Sequence, residues 1–414
     1  MKRHLSVLSS LFLSFSLFGQ TSVFHLNMGS HNETSDPLNY LFLPDHNTMR
    51  ALVKQMADSI IAKNAKWNMQ VDANFIRGTL KNDTAASNPN DILQWADDQA
   101  NIEVDPHNHF NASSNPYNFA DLAHLLDSCG FSGKRKNVGG FLWDSTDWTT
   151  SNDHWNKYAA GLKGNTFPSY TWTPTVIWGA GSTPPHTNDI DDLGLWRPAG
   201  ATSKAQFKTH NPNGNITVIG HGCNWVIFDT TSNPQWIVND IKAHLDYFAS
   251  QSVTNNTFYV GTIMMDFRDF TSANYINKVM TVINGLAPYG SSGTGQISWQ
   301  TLTEKYNTWM AAHSNVTDYF ELECSNVALG VEEANNSSDG ISISPNPASS
   351  TVSVIASADA LISTKQSHII NAFGQEVKMQ NLATGRNEIN VSDLSNGIYF
   401  LRIGTFAKKI VIQK

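Results

Sequence analysis

Two histidines and an aspartate follow a short apolar stretch in the first third of the chain. The segment from Ile102 to Phe110 reads IEVDPHNHF, in which β-prone residues give way to Asp105, His107 and His109. An extended chain sends residues i and i+2 to the same face, so these three side chains could meet one ion. The alternative is a pair of histidines that only end a strand. Pro106 and the strand-end position favour a metal site, because neutral imidazole binds zinc, iron, nickel and cobalt.

A hydrolytic metal site needs about three protein ligands and an open position for water. The two histidines supply two ligands of a divalent ion, for which zinc is our expectation. We expect Asp72, at the end of a neighbouring strand, to be the third ligand, with His31 or Glu33 as alternatives. Glu33 or Asp105 is then the candidate catalytic base.

Two further residues are candidates for catalysis. Arg197 precedes Pro198 at a predicted strand end, where it could bind a carboxylate or form a structural salt bridge. His221 stands between two glycines, where it could donate to a developing oxyanion or leaving group, or cap a loop.

Other polar and aromatic residues have two interpretations each. Asp266 and Asp269 could pair as glycosidase carboxylates, but capping of the next helix is favoured. Several tryptophans near strand ends could stack on sugar rings or fill the core. They are Trp143, Trp148, Trp178, Trp196 and Trp225.

Apolar periodicity predicts alternating strands and helices up to about Trp309. A strand is predicted from Val23 into a loop at Glu33, and a second from Trp67 to Gly78. Helices are predicted over Asn47–Lys63, Trp236–Ala249 and Ala273–Asn284. About seven or eight such repeats indicate a regular or distorted β/α barrel, with an open doubly wound sheet as the alternative.

The termini and the charge limit the function classes. Residues 1–20 carry Lys2 and Arg3 before an apolar run, the plan of a secretory signal peptide. Without them, 25 of the 27 basic residues remain against 35 acidic residues, a net charge of −10. This charge argues against nucleic acid as a partner, and no later segment is long and apolar enough to span a membrane.

Three cysteines, Cys129, Cys223 and Cys324, are too few for a disulfide framework. An exported chain could form one bridge from them, and no zinc-thiolate site is expected.

Composition changes near Cys324 and indicates a domain boundary. We predict a β/α barrel over residues 21–325, a linker over 326–340 and a small β-sandwich over 341–414. All 12 tryptophans precede the linker, and short strands separated by turn residues follow it.

Residues 341–414 closely resemble the type A C-terminal sorting domain of type IX secretion substrates. The resemblance implies recognition by the outer-membrane secretion machinery and a secreted or cell-surface location. The matching pieces are Pro345–Pro347, Asn371–Gly374, Leu394–Tyr399 and Lys408-Lys409.

The barrel region resembles the polysaccharide deacetylase superfamily through short pieces. Glu103 and His107 match its Glu-x-x-x-His strand, although the second histidine follows two residues later instead of four. Arg197-Pro198 is similar to its Arg-x-Pro motif without the middle residue, and GSHNE at 29–33 replaces its paired aspartates. The resemblance implies a metal site but not the whole mechanism.

We therefore expect a secreted metal-dependent hydrolase that removes an acyl group from a polysaccharide or cell-wall glycan. A metal-free glycosidase using Asp72, Glu33 or Asp266 is the first alternative, and a non-catalytic glycan-binding barrel is the second.

Overall fold

The chain divides into two compact units, Met1–Ala328 and Leu329–Lys414. The structure is a computed structural model that describes residues 22–33, 38–84, 91–107, 116–131, 137–138, 161–178, 192–200, 204–223, 225–230, 233–254, 257–313, 322, 324, 341–356, 366–371, 376–403 and 406–414. The predicted signal peptide and linker lie outside these ranges. Within these ranges, no helix has the length and apolar character needed to cross a bilayer.

Strands and helices alternate along the first unit. Its described strands are β1 (Phe24–Asn32), β2 (Trp67–Val71), β3 (Ile102–Pro106), β4 (Asn137–Val138), β5 (Leu162–Lys163), β6 (Thr171–Trp172), β7 (Val176–Trp178), β8 (Leu195–Trp196), β9 (Thr217–Ile219), β10 (Val226–Ile227), β11 (Tyr259–Met265) and β12 (Ile297–Trp299). Its described helices are α1 (Leu43–Ile61), α2 (Ala73–Asn82), α3 (Ile92–Asp97), α4 (Phe119–Leu126), α5 (Lys204–Lys208), α6 (Pro234–Ser250), α7 (Tyr275–Leu286) and α8 (Leu302–His313).

The strands of the first unit form two larger sheets. One has the order β10-β11-β1-β2-β3, with β12 also paired to β1, and all of its pairs are parallel. The other has the order β4-β7-β9-β8, in which β8 alone runs antiparallel. The predicted α/β class is confirmed, and closure into a barrel stays a prediction.

The predicted strand from Trp67 to Gly78 is wrong beyond Val71. The Asp72 carboxylate accepts a hydrogen bond of 2.7 Å from the Phe75 backbone N–H and so caps the first turn of α2. An aspartate at this position satisfies a helix N–H that would otherwise lack a partner. Helix α2 therefore begins where the predicted strand was expected to continue.

A disulfide closes part of the first unit. It joins Cys223, just after β9, to Cys324, which follows α8, across 101 residues of sequence. Cys129 is a free, buried cysteine. Burial raises the pKa of the Cys129 thiol, and the nearby Asp91 carboxylate raises it further.

The second unit consists of seven described strands. They are β13 (Ile341–Ser344), β14 (Thr351–Ala356), β15 (Gln366–Asn371), β16 (Glu376–Asn381), β17 (Gly385–Asn390), β18 (Gly397–Ile403) and β19 (Phe406–Ile412). They form two antiparallel sheets, β13-β14-β17 and β16-β15-β18-β19, on one shared apolar core, as the predicted sandwich requires. Asn346 of the Pro-Asn-Pro motif accepts a hydrogen bond from Val411 N–H and donates to the Lys409 carbonyl, which holds this motif against β19.

Candidate metal centre

The candidate site lies where β1, β2 and β3 end. Because these strands are parallel, their C-terminal ends share one edge of the sheet. The register pairs His31 with Gln70 and Gln70 with Asp105. Alternation along each strand then places Glu33 and His107, two residues further on, on the same face as this row. The sheet itself therefore brings the side chains together.

Three side chains at this edge could hold one ion. The possible ligand atoms of His31, Glu33 and His107 all lie within 4.8 Å of one another. The distance from His107 Nε2 to the nearer Glu33 carboxylate oxygen is 3.3 Å, and the two imidazole rings stack with centroids 3.9 Å apart. Ligands about 2.1 Å from a tetrahedral ion lie roughly 3.4 Å from each other, which is close to the distance of 3.3 Å between His107 Nε2 and the Glu33 carboxylate.

His107 is held by the backbone as well as by its neighbours. Its N–H donates to the Val71 carbonyl at 2.9 Å, which continues the pairing of β3 with β2. Its side chain is fully buried, whereas that of Glu33 is 35% exposed, so the group has one side towards solvent. His109 lies outside the described residues, and its role as a ligand stays a prediction.

Asp72 follows β2 directly, at the strand end where it was expected, and its role as a ligand stays a prediction. Asp72 is the capping residue of α2, and the group of possible ligands found among the described residues comprises His31, Glu33 and His107. The first strand, offered above as an alternative, thus supplies two members of the group.

Polar side chains also fill the interior below the group. Asp105 is fully buried and accepts a hydrogen bond of 3.2 Å from the Asn68 amide. Asn68 in turn accepts from Asn27 at 3.2 Å, and Thr262 donates to Asn27 at 3.0 Å. These bonds tie β1, β2, β3 and β11 together inside the first unit.

A lysine from α8 completes this network. Lys305 is fully buried, and its ammonium nitrogen donates to the Gly261 carbonyl at 2.8 Å and to Asn27. Desolvation lowers the pKa of Lys305 well below its usual value, and the charge of Glu103 partly opposes this effect. Glu103 accepts hydrogen bonds from Thr303 N–H and Oγ, so it anchors the start of α8.

Trp178 connects His221 to the candidate centre, because its ring contacts both His221 and His31. The His221 and Trp178 rings stack with centroids 5.0 Å apart, and the indole also contacts the His31 ring, with centroids 5.5 Å apart. Gly29 leaves room for the Trp178 ring, because a Cβ at this position would lie only 3.1 Å from Trp178 Cη2. Trp178 is only 2% exposed, so it forms a wall of the site and not an open stacking surface.

Arg197 is at the other end of the second sheet. Strand β8 runs antiparallel to β9, so the residue after β8 lies near the start of β9, away from His221. Its guanidinium donates to the Pro212 carbonyl at 2.8 Å and lies 5.2 Å from the centre of the Trp309 ring. These contacts are structural, and they do not join Arg197 to the candidate centre.

Comparison with known families confirms the C-terminal assignment. Residues 342–414 match the secretion system C-terminal sorting domain. A domain of this family directs the protein to the cell surface or the extracellular space, and its presence implies contact with the secretion machinery.

Two solved structures are distantly similar to the chain. Comparison with curated proteins gives no match. A probable polysaccharide deacetylase from Pseudomonas aeruginosa PAO1 is similar with a TM-score of 0.43 and 10% identity, over 70% of this chain and 92% of that one. The 4-alpha-glucanotransferase from Thermococcus litoralis is similar with a TM-score of 0.37 and 11% identity, over 69% of this chain and 38% of that one. At these scores neither likeness decides the activity.

Proposed function

We propose that the protein is a secreted metal-dependent hydrolase that removes an acyl group from a polysaccharide or a cell-wall glycan. The observation that carries the proposal is the convergence of His31, Glu33 and His107 at one sheet edge. Two imidazoles and one carboxylate form a ligand set that zinc hydrolases use. The glycan part rests on the resemblance of the sequence around His107 and Arg197 to the polysaccharide deacetylase superfamily.

Each nearby side chain has a role in this proposal. A bound zinc ion would supply an acidified water for attack on an acyl carbon. With Glu33 as a ligand, Asp105 remains as the candidate base, two residues before His107 on the same face. His221, held against Trp178, is the candidate donor to the leaving group.

We also infer that the two sheets belong to one distorted β/α barrel. The contacts that support this lie along β11, whose Val260, Thr262 and Met264 N–H groups donate at 2.7–2.9 Å to the carbonyls of Leu193, His221 and Trp225 respectively. Two of these acceptors, Leu193 and His221, flank β8 and β9 of the second sheet. The polar interior described above would then be the inside of the barrel.

The contacts of two aspartates weigh against the metal-free glycosidase. Asp72 caps α2. Asp266 caps the short 3₁₀ helix Phe267–Thr271 and forms an ion pair of 2.6 Å with Arg268. Carboxylates committed to such local contacts are poor candidates for a catalytic acid and nucleophile.

The test measures bound metal and acyl release in the same preparations. Residues 21–414 would be purified without chelator, and metal content would be determined by elemental analysis. We expect about one zinc ion per chain, lost in His31→Ala and His107→Ala. His124→Ala is the matched control, since this histidine packs against Phe167 and Tyr170, away from the group.

Acetate release from a panel of acetylated glycans then tests the reaction. Activity that disappears together with zinc supports the proposal. A wild-type protein without metal would contradict the metal centre. A protein that binds zinc and glycans but releases no acyl group would be a glycan-binding protein instead.

A further inference from the structure

Gln70 lies in the same row of residues as the candidate ligands. It pairs with His31 on β1 and with Asp105 on β3. Paired residues on adjacent strands lie about 4.8 Å apart and share a face of the sheet. Asn68, two residues earlier on this face, contacts Asp105 in the interior. The Gln70 side chain therefore points into the same interior as His31.

The amide of Gln70 has an unusual environment. The residue is fully buried, and within the described part of the chain neither amide atom has a hydrogen-bond partner. The indole nitrogen of Trp178, whose ring contacts His31, is also buried without a partner there. Folded proteins pair nearly all such groups, because leaving them unpaired destabilises the fold.

The lack of hydrogen-bond partners at Gln70 is not shared by Asn68, which lies on the same strand. It is as deeply buried as Gln70 and bonds to Asn27, Asp105 and the Leu302 N–H. The Gln70 amide beside His31 thus lacks partners among the described residues, whereas the amide of Asn68, two residues earlier on the same face of β2, has three. The unpaired amide of Gln70 and indole N–H of Trp178 lie beside the candidate centre, and the paired amide of Asn68 lies below it.

We propose that Gln70 is a specificity-determining residue that binds a ligand carrying a carbonyl oxygen next to a hydrogen-bond donor, as in a secondary amide. An amide side chain donates through nitrogen and accepts through oxygen, so only such a ligand satisfies both atoms. An ester carbonyl satisfies the donor alone. The inference rests on the proposed function, because the proposed metal site is what places the ligand beside Gln70. Its consequence is that the acyl group removed is N-linked instead of O-linked.

The experiment compares Gln70→Met with Asn68→Leu in residues 21–414, in both zinc-loaded and chelator-treated protein. The probes are N-methylacetamide and methyl acetate, with affinities measured by calorimetry at millimolar concentration. We expect the wild type to prefer the amide. Gln70→Met should weaken amide binding roughly 10- to 30-fold, because two hydrogen bonds are lost, and weaken ester binding less, because only one is lost.

Thermal stability provides the second measurement. Gln70→Met should melt at the same temperature or higher, since it removes unpaired polar atoms, whereas Asn68→Leu should melt lower. Equal amide affinity in Gln70→Met, a preference for the ester, or a loss of stability matching that of Asn68→Leu would overturn the inference. Zinc content reports separately on the proposed function, because Gln70→Met leaves all three candidate ligands in place.

Discussion

Removal of the disulfide between Cys223 and Cys324 should strongly destabilise the first unit. The bridge spans 101 residues, so it restricts the unfolded chain far more than the folded one. Chain entropy predicts a loss of about 4.7 kcal/mol for a loop of roughly 100 residues, and removal of native disulfides commonly costs about 2–5 kcal/mol. A domain is stable by only about 5–15 kcal/mol in total. The melting temperature should fall by roughly 10 °C.

The appropriate change is the double substitution C223S/C324S. His244 Nε2 lies 3.2 Å from the Cys223 sulfur, so a serine hydroxyl there can still form a hydrogen bond. Cys129 is a poor exchange partner because its raised pKa keeps it in the thiol form at neutral pH. Cys129→Ser is the control for loss of a cysteine without loss of a bridge.

Urea unfolding of the double variant and the control, followed by circular dichroism, provides the measurement. We expect a lower midpoint and a steeper denaturant dependence in the double variant, since its unfolded state exposes more surface. A loss below about 1 kcal/mol with the fold intact would refute the entropic reasoning. It would indicate that the segment between the cysteines stays compact after unfolding.

Three further predictions concern single features of the chain. Asp72→Ala should lower stability by about 1 kcal/mol in urea unfolding through loss of a helix cap, with zinc content unchanged in elemental analysis; loss of zinc would identify Asp72 as a ligand. Because burial lowers the pKa of Lys305 in the folded state, the unfolded state binds more protons just below the normal lysine pKa, and stability should rise with pH by up to about 1.4 kcal/mol per unit. Lys305→Met should remove this slope in urea midpoints measured from pH 7 to 10, and an unchanged slope would assign it to another group. Deletion of residues 341–414 should leave the protein in the cell envelope of a native-like host, and normal amounts in the medium by immunoblot would contradict the sorting role.

Local patterns in the sequence predicted the features that depend on neighbouring residues. The sorting domain is recognisable because its motifs, such as Pro345–Pro347, are contiguous. The apolar stretch before His107 predicts that this residue lies at a strand end, and the structure places it there. Helix α6 begins and ends within two residues of its predicted bounds, Trp236–Ala249, because its apolar period is regular.

Asp72 and Gln70 show which features the local sequence pattern leaves undecided. Polar residues alternate with apolar ones through WNMQV, which indicates a strand with one polar face. The pattern could equally continue past Val71 as a strand or end in a capped helix. The hydrogen bond from Phe75 N–H to Asp72 decides for the helix, and the unpaired amide of Gln70 has no signature in the sequence.

Only the tertiary structure brings His31 and Glu33 to His107 and leaves Arg197 elsewhere. The ligand group depends on the register of β1 against β2 and of β2 against β3, and long-range backbone hydrogen bonds set both registers. A shift by one residue would turn every side chain of a strand to the opposite face. The direction of β8 likewise follows from its antiparallel pairing with β9. The sequence near each residue determines what it can bind, whereas pairing between distant strands determines which residues meet.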